Sequence, residues 1–180
     1  MMDTPKNASL SALQISEIRS RECLRRFDCG VADIDSWASE KAFRRHQQDR
    51  TKVFCAWLGP NGPVVGFYSL SLSAIGSKLL LGQHGDRYPE GYAPFIYIDW
   101  LAVIRPRQGD GIGRFMLVNA LERALLVSHH LPFYGIALRS LNNKTTHFYN
   151  KMGFAQREDG PHPLMILPIW TVRDLFGELQ

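Results

Sequence analysis

The sequence contains no apolar run approaching the roughly 20 residues that a bilayer-spanning helix requires. Its start, MMDTPKNASLS, pairs no charged region with an apolar core, as a secretion signal would. Both absences point to a cytoplasmic protein with no membrane partner. Cysteine is scarce: Cys23, Cys29 and Cys55 are odd in number and form no CxxC pair. Such a set excludes a disulfide framework and a cysteine-based zinc site, and reads as reduced structural thiols. The histidines do not substitute for them. His129 and His130 are adjacent, while His46, His84 and His162 stand alone, so no metal-ligand spacing exists and no metal is expected. Internal repeats and low-complexity tracts are also missing, and the Gly/Pro clusters are short enough to be turns.

What is present suits one folded domain over residues 1–180. Hydrophobic residues make up 45% and charged residues 21% of 180 positions, the proportions of a packed globular chain. A net charge of +4 favours anionic partners, among which a phosphate-bearing cofactor and RNA both qualify.

Periodicity supplies the elements. Leu10–Ile15 reads as a first strand, followed by a basic irregular stretch from Arg19 to Arg26. From Val31 to about Gln48, Val31, Ile34, Trp37, Ala38 and Ala42 recur at helical spacing, with Glu40, Lys41, Arg44, Arg45 and Gln48 on the polar face. Lys52–Leu58 and Val64–Ala74 are rich in β-branched and aromatic residues around a GPNGP turn, which predicts an antiparallel hairpin. A long loop, Gly76–Pro94, precedes a nearly continuous apolar strand, Phe95–Val103. Beyond it lie an apolar helix over Gly113–Val127, a buried strand over Phe133–Leu138, and a short helix over Lys144–Met152 ended by Gly153. A late strand, Leu164–Ile169, leads to a final helix that Thr171 is positioned to cap. Hairpins in the first half and alternating strands and helices in the second predict an α/β fold, with a central mixed sheet flanked by helices on both faces.

The chemistry concentrates at Gln108-Gly109-Asp110-Gly111-Ile112-Gly113, between the buried strand and the apolar helix. Three positions lack side chains, so a phosphate can approach the backbone closely. The first N–H groups of the helix and its positive dipole end complete an anion cradle suited to a pyrophosphate. A Walker loop is excluded because no Gly-Lys-Ser/Thr follows, and a dinucleotide fingerprint because that needs GxGxxG early in a βαβ unit with an acidic residue about 20 positions on, which this segment does not fit.

With LAV and Arg105-Pro106-Arg107 ahead of it, this segment resembles the cofactor signature of the GNAT N-acetyltransferase family, Arg/Gln-x-x-Gly-x-Gly/Ala, through Gln108, Gly111 and Gly113. Roughly 35 residues on, Asn142, Phe148, Tyr149, Gly153 and Phe154 match that family's Asn-x-x-x-x-x-Phe-Tyr-x-x-x-Gly-Phe pattern. The resemblance implies acetyl-CoA as acetyl donor. Leu101, Ala102 and Val103 would offer backbone groups to the acetyl and pantetheine arm, residues 108–113 would hold pyrophosphate, Asn142 would face pantetheine and Tyr149 the sulfur. Asp110 departs from the Arg or Lys frequent at its position and sets a carboxylate beside phosphates.

Acetyl transfer needs an uncharged amine and a proton donor for the departing thiolate. A phenol with an ordinary pKa near 10 is protonated at neutral pH, so Tyr149 fits the donor role; the alternative is packing against Phe148. His147 reads as a surface residue. Asp99, on the same strand face as Val103 by period 2, is the acidic candidate for a base or else a structural carboxylate. An α-amine, with a pKa near 8, needs less base assistance than a lysine amine near 10.4, so an α-amine acceptor is the economical expectation.

The first half narrows this further. Phe27-Asp28-Cys29-Gly30, the Trp37-bearing helix and Gly66-Phe67-Tyr68 are similar to the opening of the GNAT toxins of bacterial type II toxin–antitoxin systems. The similarity implies acetylation of the α-amine of aminoacyl-tRNA, a block of translation, a ribbon-helix-helix antitoxin and a homodimer. Lys41, Arg44, Arg45 and Arg50, with Arg19, Arg21, Arg25 and Arg26, are the candidate tRNA phosphate contacts or a solvated face. Two other readings remain: an acetyltransferase for a small amine or protein N-terminus, and a non-catalytic acyl-CoA-binding module.

Overall fold

In the computed structural model, which describes residues 10–177, the elements are β1 (Leu13–Glu17), α1 (Ala32–Glu40), α2 (Ala42–Gln47), β2 (Lys52–Leu58), β3 (Val64–Gly76), β4 (Tyr92–Val103), α3 (Ile112–Ser128), β5 (Gly135–Arg139), α4 (Asn143–Lys151), β6 (Ala155–Gln156), β7 (Leu164–Pro168) and α5 (Ile169–Leu175). The strands form one sheet in the order β1-β2-β3-β4-β5-β7-β6. It is mixed: β4 and β5 run parallel, whereas β1 with β2, β2 with β3, and β7 with both β5 and β6 are antiparallel. The fold is therefore α/β, a mixed sheet with flanking helices.

The chain divides into two compact units, one running to Leu70 and taking in Trp100–Ala120, the other made of Ser71–Asp99 and the chain from Leu121 onward. In the first, Leu24, Phe27, Ile34, Ala38, Ala42, Val53, Cys55 and Phe67 form the core. Phe27 meets Phe67 edge-on at 4.9 Å, and Trp37 stacks on Phe67 at 5.9 Å. Burying each such ring is worth about 1.5–3 kcal/mol, so this aromatic set is a main anchor of α1. In the second unit, Phe95, Tyr134, Ala137 and Ile166 form the core, and the Tyr134 hydroxyl reaches the Leu81 amide at 3.1 Å and His84 Nδ1 at 3.0 Å.

Four expectations change. The helix read over Val31–Gln48 is broken at Lys41 (φ −117°), and the bend brings His46 to β2, where its Nδ1 accepts the Val53 N–H at 3.1 Å. Thr171 does not cap the last helix: β7 runs straight into α5 through Pro168, whose fixed φ of −62° suits a helix start, and Thr171 lies inside the first turn. The loop after β3 contains two 3-10 turns, Ser77–Leu79 and Gly82–Arg87, pinned by the Arg157 guanidinium to the Leu79 and Leu80 carbonyls at 2.7 and 2.8 Å. Finally, the two-residue β6 is too short to carry a periodicity signal and went unpredicted.

Candidate active site

In the first unit β4 ends in Leu101, Ala102 and Val103, passes through a 3-10 turn at Arg105–Arg107, and reaches α3 through Gln108–Gly111. Gly109 and Gly111 have φ of 88° and 85°, in the region that side chains disfavour, so the backbone shape itself requires glycine there. Gly113 is different, because a Cβ there would make only ordinary contacts, 3.8 Å from Leu101 and 3.9 Å from Val103. Ile112 is buried and anchors the first turn of α3. The turn of glycine-shaped backbone ahead of a helix N-terminus fits a pyrophosphate. Asp110 does not spoil it: its Oδ2 lies 3.1 Å from Arg107 Nε, so a neighbouring guanidinium offsets the carboxylate. That i,i+3 Arg–Asp spacing was visible in the sequence.

Gln108 opens this turn, and its side-chain amide donates to the Cys29 carbonyl at 2.8 Å and the Val103 carbonyl at 3.0 Å.

In the second unit the pairing of β4 with β5 runs from Phe95 opposite Gly135 to Tyr97 opposite Ala137. Past β5, Asn142 caps α4: its side chain accepts from the Thr145 N–H at 3.1 Å, and Thr145 returns a bond to the Asn142 N–H at 3.0 Å. The Asn142 side-chain oxygen therefore caps α4. Tyr149 lies two turns on, 7% exposed, between the rings of Phe148 at 5.0 Å and Phe154 at 5.6 Å. Burial holds its phenol well above the ordinary tyrosine range, so it stays protonated. His147 is exposed. Asp99 accepts a hydrogen bond from Ser71 Oγ at 2.9 Å.

Of the basic candidates, Lys41, Arg44 and Arg50 are exposed and Arg45 partly buried. Arg19 stacks over Trp57 at 4.4 Å, and Arg25 pairs with Glu22 at 3.1 Å. Among the described residues no group of His, Cys, Asp or Glu could hold a metal ion, and no helix is long and apolar enough to cross a membrane.

The first unit thus has a strand feeding a glycine-shaped turn and a helix N-terminus, and the second has a buried neutral phenol; the class of the chain, an acetyltransferase, follows from its family. The family model for the Acetyltransferase (GNAT) family matches residues 15–154, and the chain belongs to that family. It is an acyltransferase with acetyl-CoA as donor. Among individual relatives, the chain is 27% identical over 152 residues, 84% of its length and 89% of the relative's, to a tRNA-acetylating toxin of Mycobacterium tuberculosis (strain ATCC 25618 / H37Rv). It is similar in structure to a tyrosine-to-phenylalanine variant of KacT (TM-score 0.83, 24% identity, covering 92% of this chain and 99% of that one). It also resembles AtaT complexed with acetyl-methionyl-tRNAfMet (TM-score 0.81, 22% identity, covering 91% and 99%). A variant of the same AtaT has been solved bound to the C-terminus of the antitoxin AtaR and acetyl-CoA (TM-score 0.75, 21% identity, covering 92% and 98%).

Proposed function

We propose that the chain is the toxin of a type II toxin–antitoxin system, a single cytoplasmic acetyltransferase domain that transfers acetyl from acetyl-CoA to the α-amine of an aminoacyl-tRNA. The observation that carries this is the relative named a tRNA-acetylating toxin, which this chain matches over nearly the whole of both lengths. AtaT bound to acetyl-methionyl-tRNAfMet supports the same acceptor. AtaT bound to AtaR supports an antitoxin partner, for which a ribbon-helix-helix protein is the proposed type, and the functional unit is proposed to be a homodimer.

Each residue then has a task. Backbone groups of Leu101, Ala102 and Val103 hold the acetyl and pantetheine arm, and Gly109 to Gly113 hold the pyrophosphate through their N–H groups and the α3 dipole. A neutral α-amine attacks the acetyl carbonyl; the C–N bond forms, the C–S bond breaks, and the amine's surplus proton leaves to solvent. Tyr149 donates its hydroxyl proton to the departing sulfur, which leaves as the thiol, and the phenolate takes a proton back from solvent. Its raised pKa does not forbid this, because the thiolate is made more basic by the same loss of water. Lys41, Arg44, Arg45 and Arg50 meet tRNA phosphates by charge.

The test supplies labelled acetyl-CoA and a pool of charged tRNAs to the purified protein. Label in the aminoacyl moiety of at least one tRNA is expected. Label found instead only on small amines or protein N-termini would replace this acceptor with the alternative one.

A further inference from the structure

The segment Phe27–Gly30 has no task in the reaction just described, yet its peptide groups bond to α1 and to the approach to the glycine loop, besides one bond inside the segment from the Gly30 N–H to Asp28 Oδ1 at 3.1 Å. On one side, the Asp35 carboxylate of α1 accepts the Cys29 N–H at 2.8 Å and the Gly30 N–H at 3.3 Å. On the other, the Arg105 N–H donates to the Asp28 carbonyl at 3.0 Å, and Gln108 Nε2 donates to the Cys29 carbonyl at 2.8 Å. Gln108 Nε2 also reaches the Val103 carbonyl at 3.0 Å, so one amide group bridges this segment to the last residue of β4. Arg105 Nε completes the join on Asp28 Oδ1 at 2.8 Å.

Gly30 shows how closely the parts fit. Its φ is 90°, and a Cβ there would lie 3.0 Å from Arg105 Nε, so any side chain would both strain the backbone and push Arg105 aside. Phe27, packed edge-on against Phe67, fastens the segment to the core. The exposed Asp28–Arg105 ion pair adds little by charge alone, so the strength of the join lies in the carbonyl bonds to Gln108 and to the Arg105 amide.

We propose that Phe27–Gly30 is a brace that sets the geometry of the cofactor loop, and that Gln108 and Arg105 are positioning residues acting through it. The segment whose likeness to the toxins suggested a substrate element thus acts on the acetyl-CoA side. An anion cradle made of backbone N–H groups works only if those groups converge, and a turn fixed at Val103, Arg105 and Gln108 enters α3 in one orientation. This rests on the cofactor reading of the glycine loop, though not on the tRNA reading.

The experiment measures acetyl-CoA affinity by calorimetry, with no acceptor present, for wild type, Gln108→Met, Gln108→Arg and Gly30→Ala. Gln108→Met keeps the side-chain length and removes both donors; its Kd is expected to rise roughly five- to tenfold. Gln108→Arg keeps donors for the two carbonyls and is expected to restore binding to within about twofold. Gly30→Ala, which displaces Arg105 without touching the loop, is expected to weaken acetyl-CoA to a similar degree as Gln108→Met, while the KM for the acceptor stays unchanged. Circular dichroism melts identify a variant that fails to fold, in which case the other two decide. Wild-type affinity in folded Gln108→Met and Gly30→Ala would overturn the brace, as would a change confined to acceptor KM. Failure of wild type itself to bind acetyl-CoA would instead remove the cofactor reading.

Discussion

Tyr149 shows how burial changes what a residue can do. A phenol in water begins to ionise near pH 10, whereas at 7% exposure Tyr149 keeps its proton over the whole working range. In Tyr149→Phe the ring contacts with Phe148 and Phe154 survive and only the donor is lost. We expect kcat to fall roughly 100-fold with acetyl-CoA affinity unchanged, read from steady-state kinetics and calorimetry. An unchanged kcat would reduce Tyr149 to packing. The buried thiols follow the same physics. Burial, with a hydrogen bond to Asp35, pushes Cys29 up to about 11, and burial pushes Cys55 up to about 12. A folded pKa above the unfolded one means that the unfolded chain releases these protons first. Their contribution is therefore complete below the ordinary thiol range near 8.5 and is lost as pH rises toward the folded values. Urea midpoints should hold steady to about pH 8 and decline above pH 9, with buried Tyr97 and Tyr134, also raised, acting in the same direction.

At the scale of the element, the start of α4 rests on a reciprocal cap. Asn142 and Thr145 each satisfy a backbone N–H of the other, so Asn142→Ala removes an acceptor that the first turn needs. A loss of about 1 kcal/mol is expected, a drop of about 2–4 °C in Tm, and the melt measures it. Because α4 carries Tyr149, kcat should fall more than acetyl-CoA affinity. The α4 helix was legible in the sequence to within a residue at each end, since Asn142 precedes a polar and aromatic periodicity and Gly153 follows it. The helix over Val31–Gln48 was legible only in part. Its apolar spacing continues through Ala42, and nothing local marks Lys41; the bend comes from His46 meeting a strand that begins later in the chain.

For the whole molecule the governing quantity is charge. A net charge of +4 cannot say where an anion binds, but exposed Lys41, Arg44 and Arg50 beside Arg45 group cations on and just beyond one short helical stretch. The double variant Arg44→Glu with Arg45→Glu is expected to lower kcat/KM for charged tRNA and to make its dependence on salt shallower by about 1–2 in log–log slope, since fewer phosphate counterions are released. Acetyl-CoA affinity should not move. Equal losses for both substrates would remove this stretch from the tRNA surface.

The sequence by itself determined the family, the glycine-shaped turn after β4 and the Phe-Tyr pair of α4. Strand and helix periodicities, glycines at 109 and 111 and the Phe148-Tyr149 pair are local signals, set by backbone sterics and by the alternation of apolar and polar side chains. Only the tertiary structure decided what the polar residues around those signals do. Gln108 donates to Cys29 and Arg105 to Asp28, Asp110 forms an ion pair with Arg107, and Asp99 accepts from Ser71. Of these only the Arg107–Asp110 pair lies within one turn of chain. The rest are separated by 28 to 79 positions, and a hydrogen bond depends on distances of about 3 Å that no spacing in the sequence encodes.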